Sequence, residues 1–192
     1  MRSLEGLRHS YEYKLRQIIR AYEASRASFD EDLNNIGSSP DSKLILMAKD
    51  DYQDTFDYLV DLHYEADTAI TLIREAFTLA LFHYWEKCGQ SWLRTPGYRF
   101  KKSNTRLTDS GDYLADYETL DLMRMVANTV KHHSAELWRN YPEMFSPLVA
   151  DYLEDGFTPP YADLIYLTDE HMKRFITALW NSGPNAEAKP VF

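Results

Sequence analysis

The sequence predicts an all-α protein, an up-and-down bundle of four to five main helices with one long irregular loop. Three observations predict it. Apolar residues recur at three- and four-residue spacing along most of the chain. Gly (7) and Pro (8) are few for 192 residues, so long stretches carry no breaker. The one strand-like passage, Leu164-Ile165-Tyr166-Leu167, is too short to build a sheet. One domain is expected over 1–182 with a loose tail at 183–192, and there is neither an internal repeat nor a linker.

The first helix is expected from about Arg2 to Leu33, where Leu4, Leu7, Tyr11, Leu15, Ile18, Tyr22 and Phe29 share helical spacing. Asn34 to Pro40 stops it, and Ser39-Pro40-Asp41 has the makings of a new helix start. An apolar stripe from Leu44 to Tyr84 then runs without a breaker to about Lys87. A single helix there would be ~70 Å long, too long for one compact domain of this size, so two helices dividing within Asp50–Asp61 are expected.

Gly89 to Asp116 reads as the irregular loop, with turns at Pro96-Gly97 and Ser110-Gly111. A helix from Asp116 to His133 follows, then short helical pieces at 134–139 and 147–153. Thr168-Asp169-Glu170 caps a last helix reaching Trp180.

Charge narrows the function. Thirty acids against 21 Lys and Arg give a net charge of −9, which argues against coating nucleic acid or an anionic membrane with the whole surface. A single cysteine, Cys88, excludes an internal disulfide framework and a thiolate zinc cluster and fits the reducing cytoplasm. Neither a signal sequence nor a run of ~18 apolar residues occurs, so no membrane association is expected.

Several chemistries lack their motifs. No Gly-rich phosphate loop, Glu-x-x-His or His-Glu-x-x-His is present, and no metal site or cofactor is called for. His63 and Asp67, one helical turn apart, together with His83 leave a weaker alternative, a small-ligand or metal-binding bundle.

The helix around Asp121–His133 carries the main functional signal. At 100° per residue, with Arg124 at zero, Asn128 falls at about 40°, His132 at about 80° and Lys131 at about −20°. Leu120, Leu122, Met123, Met125, Val126, Ala127 and Val130 fill most of the remaining circle. A helix apolar nearly all round is buried, and its cations then need acids, a subunit interface or a cleft. One reading pairs Arg124 and Lys131 with carboxylates of the preceding long helix. The other makes the wedge a phosphate site, with His132 as acid/base, Arg124 and Lys131 binding phosphate and Asn128 positioning substrate. Those are the groups needed to cleave RNA without a metal.

Arg124-x-x-x-Asn128-x-x-Lys131-His132, late in a helical chain, resembles the signature helix of the HEPN superfamily. The segment Asp163–His171 with Phe175 and Trp180 is similar to the closing helix of some HEPN-like families. The resemblance implies a small helical bundle of toxin–antitoxin, phage-defence or RNA-processing systems. It also implies a metal-independent endoribonuclease whose composite site forms at a homodimer interface, with an antitoxin or regulatory protein as a further partner. Seven residues separate Arg124 from His132, against four to six in the family motif, and Met125 stands where a polar residue is usual. That leaves Asn128 or Lys131 as alternatives for the role of the arginine. The competing class is a non-catalytic helical binding or regulatory module whose wedge is an internal ion-pair network.

A second feature is the run Lys87–Arg106, with six basic residues and no acid. Arg94, Arg99, Lys101, Lys102 and Arg106, with Trp92 and Tyr98 between them, suit single-stranded RNA through backbone charge and base stacking. The alternative is a solvated loop balanced by the acids after it. Negative charge is segregated too: residues 28–67 hold eleven acids and only Lys43 and Lys49. Net charge therefore leaves room for a confined RNA site.

Overall fold

The computed structural model describes residues 4–37, 42–97, 99–109 and 116–183, and among these the chain is all-α. Its helices are α1 (Leu4–Gly37), α2 (Ser42–Leu93), α3 (Phe100–Asp109), α4 (Tyr117–His132), α5 (Glu136–Asn140), α6 (Leu148–Glu154) and α7 (Asp169–Asn181). A 3₁₀ turn at Pro142–Met144 and one isolated antiparallel bridge, Phe145 to Ile165, complete it. The expected loose tail lies outside the described residues from 184 onward.

The expected break in α2 does not occur. The helix runs 52 residues, because no Gly or Pro stands between Ser42 and Cys88, and Gly89 is accommodated within it. A helix of that length fits no single compact body of this size. The chain instead divides into two compact units, one of residues 1–9 and 74–192, the other of residues 10–73.

The 10–73 unit is built from the larger part of α1 and the first part of α2. Tyr22 and His63 bring these segments together, with ring centroids 5.3 Å apart. His63 also lies 3.5 Å from Asp67, on an exposed face. Tyr13, Ile19, Val60 and Tyr64 of this unit are exposed as well.

In the other unit α4 is the core helix. Asp116 caps its start by accepting from the Thr119 N–H at 2.9 Å, and His133, left-handed at φ 51°, closes its end by donating to the Thr129 carbonyl. Leu120, Met123, Val126 and Ala127 are fully buried and Leu122 and Met125 nearly so. Within one chain these six apolar residues of α4 are covered, and Val130 is half-buried.

Side-chain bonds tie the neighbouring helices together. Arg74 of α2 donates to Asp169 in the first turn of α7 and to the Leu167 carbonyl, where the acid also suits the helix N-terminus. Thr168 caps α7 in a reciprocal box with His171, whose Nδ1 accepts from the Thr168 N–H at 3.1 Å. Burial, then the nearby Arg174 and Arg74, hold the His171 ring below its usual pKa and keep it neutral for that role. Arg174 reaches back from α7 to Thr119 of α4 at 3.2 Å.

The expected irregular loop is shortened at its start, where α2 extends to Leu93, and α3 forms within it. Phe100, Ser103, Asn104 and Leu107 make a buried i, i+3, i+4, i+7 face, two positions of which are polar. The Ser103 hydroxyl accepts from the Arg99 N–H at 3.1 Å, which suits a polar residue to a buried site.

Candidate functional site

The polar wedge on α4 does not open as one surface. Arg124, 9% exposed, lies in a fork of carboxylates from its own chain. Its Nη1 and Nη2 donate to the two oxygens of Glu136 at 2.9 and 2.7 Å, and its Nε donates to Asp121 at 2.6 Å. The guanidinium also stands over the Phe100 ring, 5.5 Å from its centroid. These bonds raise the arginine pKa further above its already high value, while the bond from Arg124 is the largest of the effects lowering that of Glu136.

The chain geometry explains the pairing. Asp121 lies one turn before Arg124 on the same helix, and the left-handed turn at His133 folds α5 back so that Glu136 meets the guanidinium. The structural alternative thus holds for Arg124, but with acids of α4 and α5 instead of α2.

The other three wedge residues are not drawn into this fork. Asn128 is half-buried, and Lys131 and His132 are exposed at the C-terminal end of α4. Lys131 Nζ lies 5.8 Å from the Phe82 ring centroid. Arg124 and His132 are eight residues apart, ~12 Å along the helix axis. Arg124 faces carboxylates, and His132 faces solvent.

The basic run is presented differently from its sequence appearance. On α3, Lys101, Lys102 and Arg106 occupy the exposed side, with Arg99 exposed just before the helix. Arg94, left-handed at φ 48°, is exposed at the end of α2. The field of Lys101 and Arg139 reaches Glu136, so this cationic surface adjoins the Arg124 fork.

The aromatic half of the run turns inward. Trp92 packs edge-on against buried Trp85, with centroids 5.4 Å apart, and helps line an apolar cavity of about 290 Å³ with Tyr84, Leu179 and Trp180. Phe100 is buried beneath Arg124, and Tyr98 lies outside the described residues. Charge is therefore exposed on α3, whereas the described aromatics are engaged in packing.

The metal-binding alternative finds no cluster. Among the described residues no group of three or more His, Cys, Asp or Glu side chains is placed to hold an ion. His83 bonds Glu86 at 2.9 Å and His63 pairs with Asp67, each with its helix neighbour on an exposed face. Among the described residues no helix is long and apolar enough to cross a membrane.

Sequence reasoning missed Glu75. Burial first, then the charge of Asp163, push this half-buried carboxyl up to about 7. Its place directly before the apolar run 76–85 was the available signal; the approach of Asp163, 88 residues later, was not. Comparison of the chain with protein-family models, curated proteins and solved structures found no significant match.

Proposed function

We propose that the chain is a non-catalytic helical binding module that engages RNA through the cationic side of α3. The observation carrying this reading is a division of labour among its cations. Arg124 is committed to Glu136 and Asp121 as a strut, while Arg99, Lys101 and Lys102 stand exposed, with the charge of Lys101 felt at Glu136. A metal-independent ribonuclease of the HEPN kind needs an arginine open to phosphate. The fork around Arg124 turns the reading from cleavage toward binding. An α3 interface of this kind recognises the phosphate backbone by charge, with little base readout.

Binding of a fluorescent single-stranded RNA by the full chain, followed by anisotropy at several salt concentrations, tests this. Lys101→Glu with Lys102→Glu should weaken binding tenfold or more and flatten the log–log salt slope by about 1.4, at ~0.7 per lost phosphate contact on a single strand. Both side chains are exposed, so the double variant should keep the wild-type fold. Equal affinity of the two proteins, or no binding at low salt, refutes the reading. Metal-free cleavage that His132→Ala abolishes would restore the ribonuclease.

A further inference from the structure

We propose that the face built by α6 and the segment after it is a docking surface for a basic amphipathic segment of a protein partner. Leu148, Tyr152, Leu153, Phe157 and Tyr166 are 53%, 39%, 45%, 65% and 66% exposed. In the unit of residues 1–9 and 74–192, only Tyr117 joins them as an exposed large apolar side chain among the described residues. Such a concentration marks an interaction site.

The backbone gathers these side chains. Leu148 and Tyr152 are one turn apart on α6, and the Phe157 N–H donates to the Tyr152 carbonyl at 2.8 Å through a turn at Gly156. The Tyr166 N–H donates to the Met144 carbonyl and the Ser146 N–H to that of Leu164, which holds 164–166 beside the entry to α6. Beneath this row Val149, Phe145 and Ile165 are buried, and Phe145 meets Trp138 and Tyr161 edge-on. The exposed row therefore stands on a packed layer.

Charge selects the occupant. Residues 140–170 contain seven acids and no Lys, Arg or His, and Asp151, Glu154, Asp155 and Asp163 among them are exposed. RNA and anionic lipid are repelled by such a rim. A second copy pairing through the same face would set these acids against themselves. A segment carrying apolar residues on one side and Lys or Arg beside them satisfies both the apolar row and the acidic rim.

The test uses the full chain and two synthetic amphipathic helical peptides, one of Leu and Lys and one of Leu and Glu, by calorimetry. The Leu/Lys peptide should bind, the Leu/Glu peptide should not, and Phe157→Ser with Tyr166→Ser should raise the Kd for the former tenfold or more. Hydrogen exchange on the wild-type chain, which needs no variant, should show peptide-induced protection over residues 143–166. Binding that survives the double variant, equal binding of the two peptides, or protection confined to other segments overturns the proposal. So does a wild-type dimer in light scattering that the double variant dissociates. Lys101→Glu with Lys102→Glu should leave peptide binding unmoved, so this surface and the RNA reading fail separately.

Discussion

Replacing Arg124 by Ala separates a strut from a catalytic group. The substitution deletes three charge-assisted hydrogen bonds, at 2.9 and 2.7 Å to Glu136 and 2.6 Å to Asp121, and the contact with Phe100. Bonds to charged groups are worth about 1.5–3 kcal/mol each in mutational series, a gross loss of about 5–9 kcal/mol. The Asp121 and Glu136 side chains are 24% and 38% exposed, so water takes over much of their solvation once the arginine is gone. A net destabilisation of about 2–4 kcal/mol follows, at the lower side of what breaking a buried ion pair costs. In a domain of this size that corresponds to a Tm lower by roughly 10 °C.

The assay is urea unfolding of wild type and Arg124→Ala followed by circular dichroism, repeated across pH. Glu136 has a folded pKa lowered below its ordinary 4.5. Its contribution is therefore present above pH 4.5 and lost as pH falls through the folded value. Arg124 stays charged throughout, so the gap between the two proteins should narrow below pH 4.5. A difference under about 0.5 kcal/mol at neutral pH would refute the strut, since surface substitutions stay within that range. Arg124 would then be available to substrate after all.

Two further predictions concern groups outside the wedge. Glu75 is raised from 4.5 to about 7, so its stabilising, protonated form is fully held below pH 4.5 and lost as pH rises through about 7. Glu75→Gln should therefore raise the Tm around pH 8 and leave it nearly unchanged at pH 4.5; an equal gain at both would refute the assignment. Gly183 has φ +100°, and a Cβ there would lie 2.4 Å from Trp92 Cη2. Gly183→Ala should cost about 1–3 kcal/mol in thermal unfolding and perturb tryptophan emission, and an unperturbed protein would refute that close packing.

Periodicity and capping chemistry were enough to locate the helices whose ends carry local signals. Asp116 and His133 bound α4, and Thr168 opens α7, because capping bonds span only three or four residues and are written in neighbouring positions. The same local logic marked 164–167 as strand-like, where Ile165 makes an isolated bridge, but not its partner Phe145. It failed for α3, where buried Ser103 and Asn104 interrupt the apolar face and hide its helical period. It also failed for the length of α2, where the absence of a breaker was legible but an assumed single compact body overruled it.

The wedge shows where local reading ends. Its residue types and angular positions on α4 follow from the sequence alone, as does the requirement that a buried arginine find partners. Which partners it finds depends on the chain reversing at His133 and bringing Glu136 back across twelve residues, a tertiary event. The fate of the basic run was decided the same way, by packing that buries Phe100, half-buries Trp92 against Trp85 and leaves Lys101 and Lys102 outside. The sequence alone determined the inventory of charges and the helices with locally capped ends. Only the tertiary structure decided which charges are neutralised within the chain and which stay exposed, because Coulombic pairing depends on distance and burial.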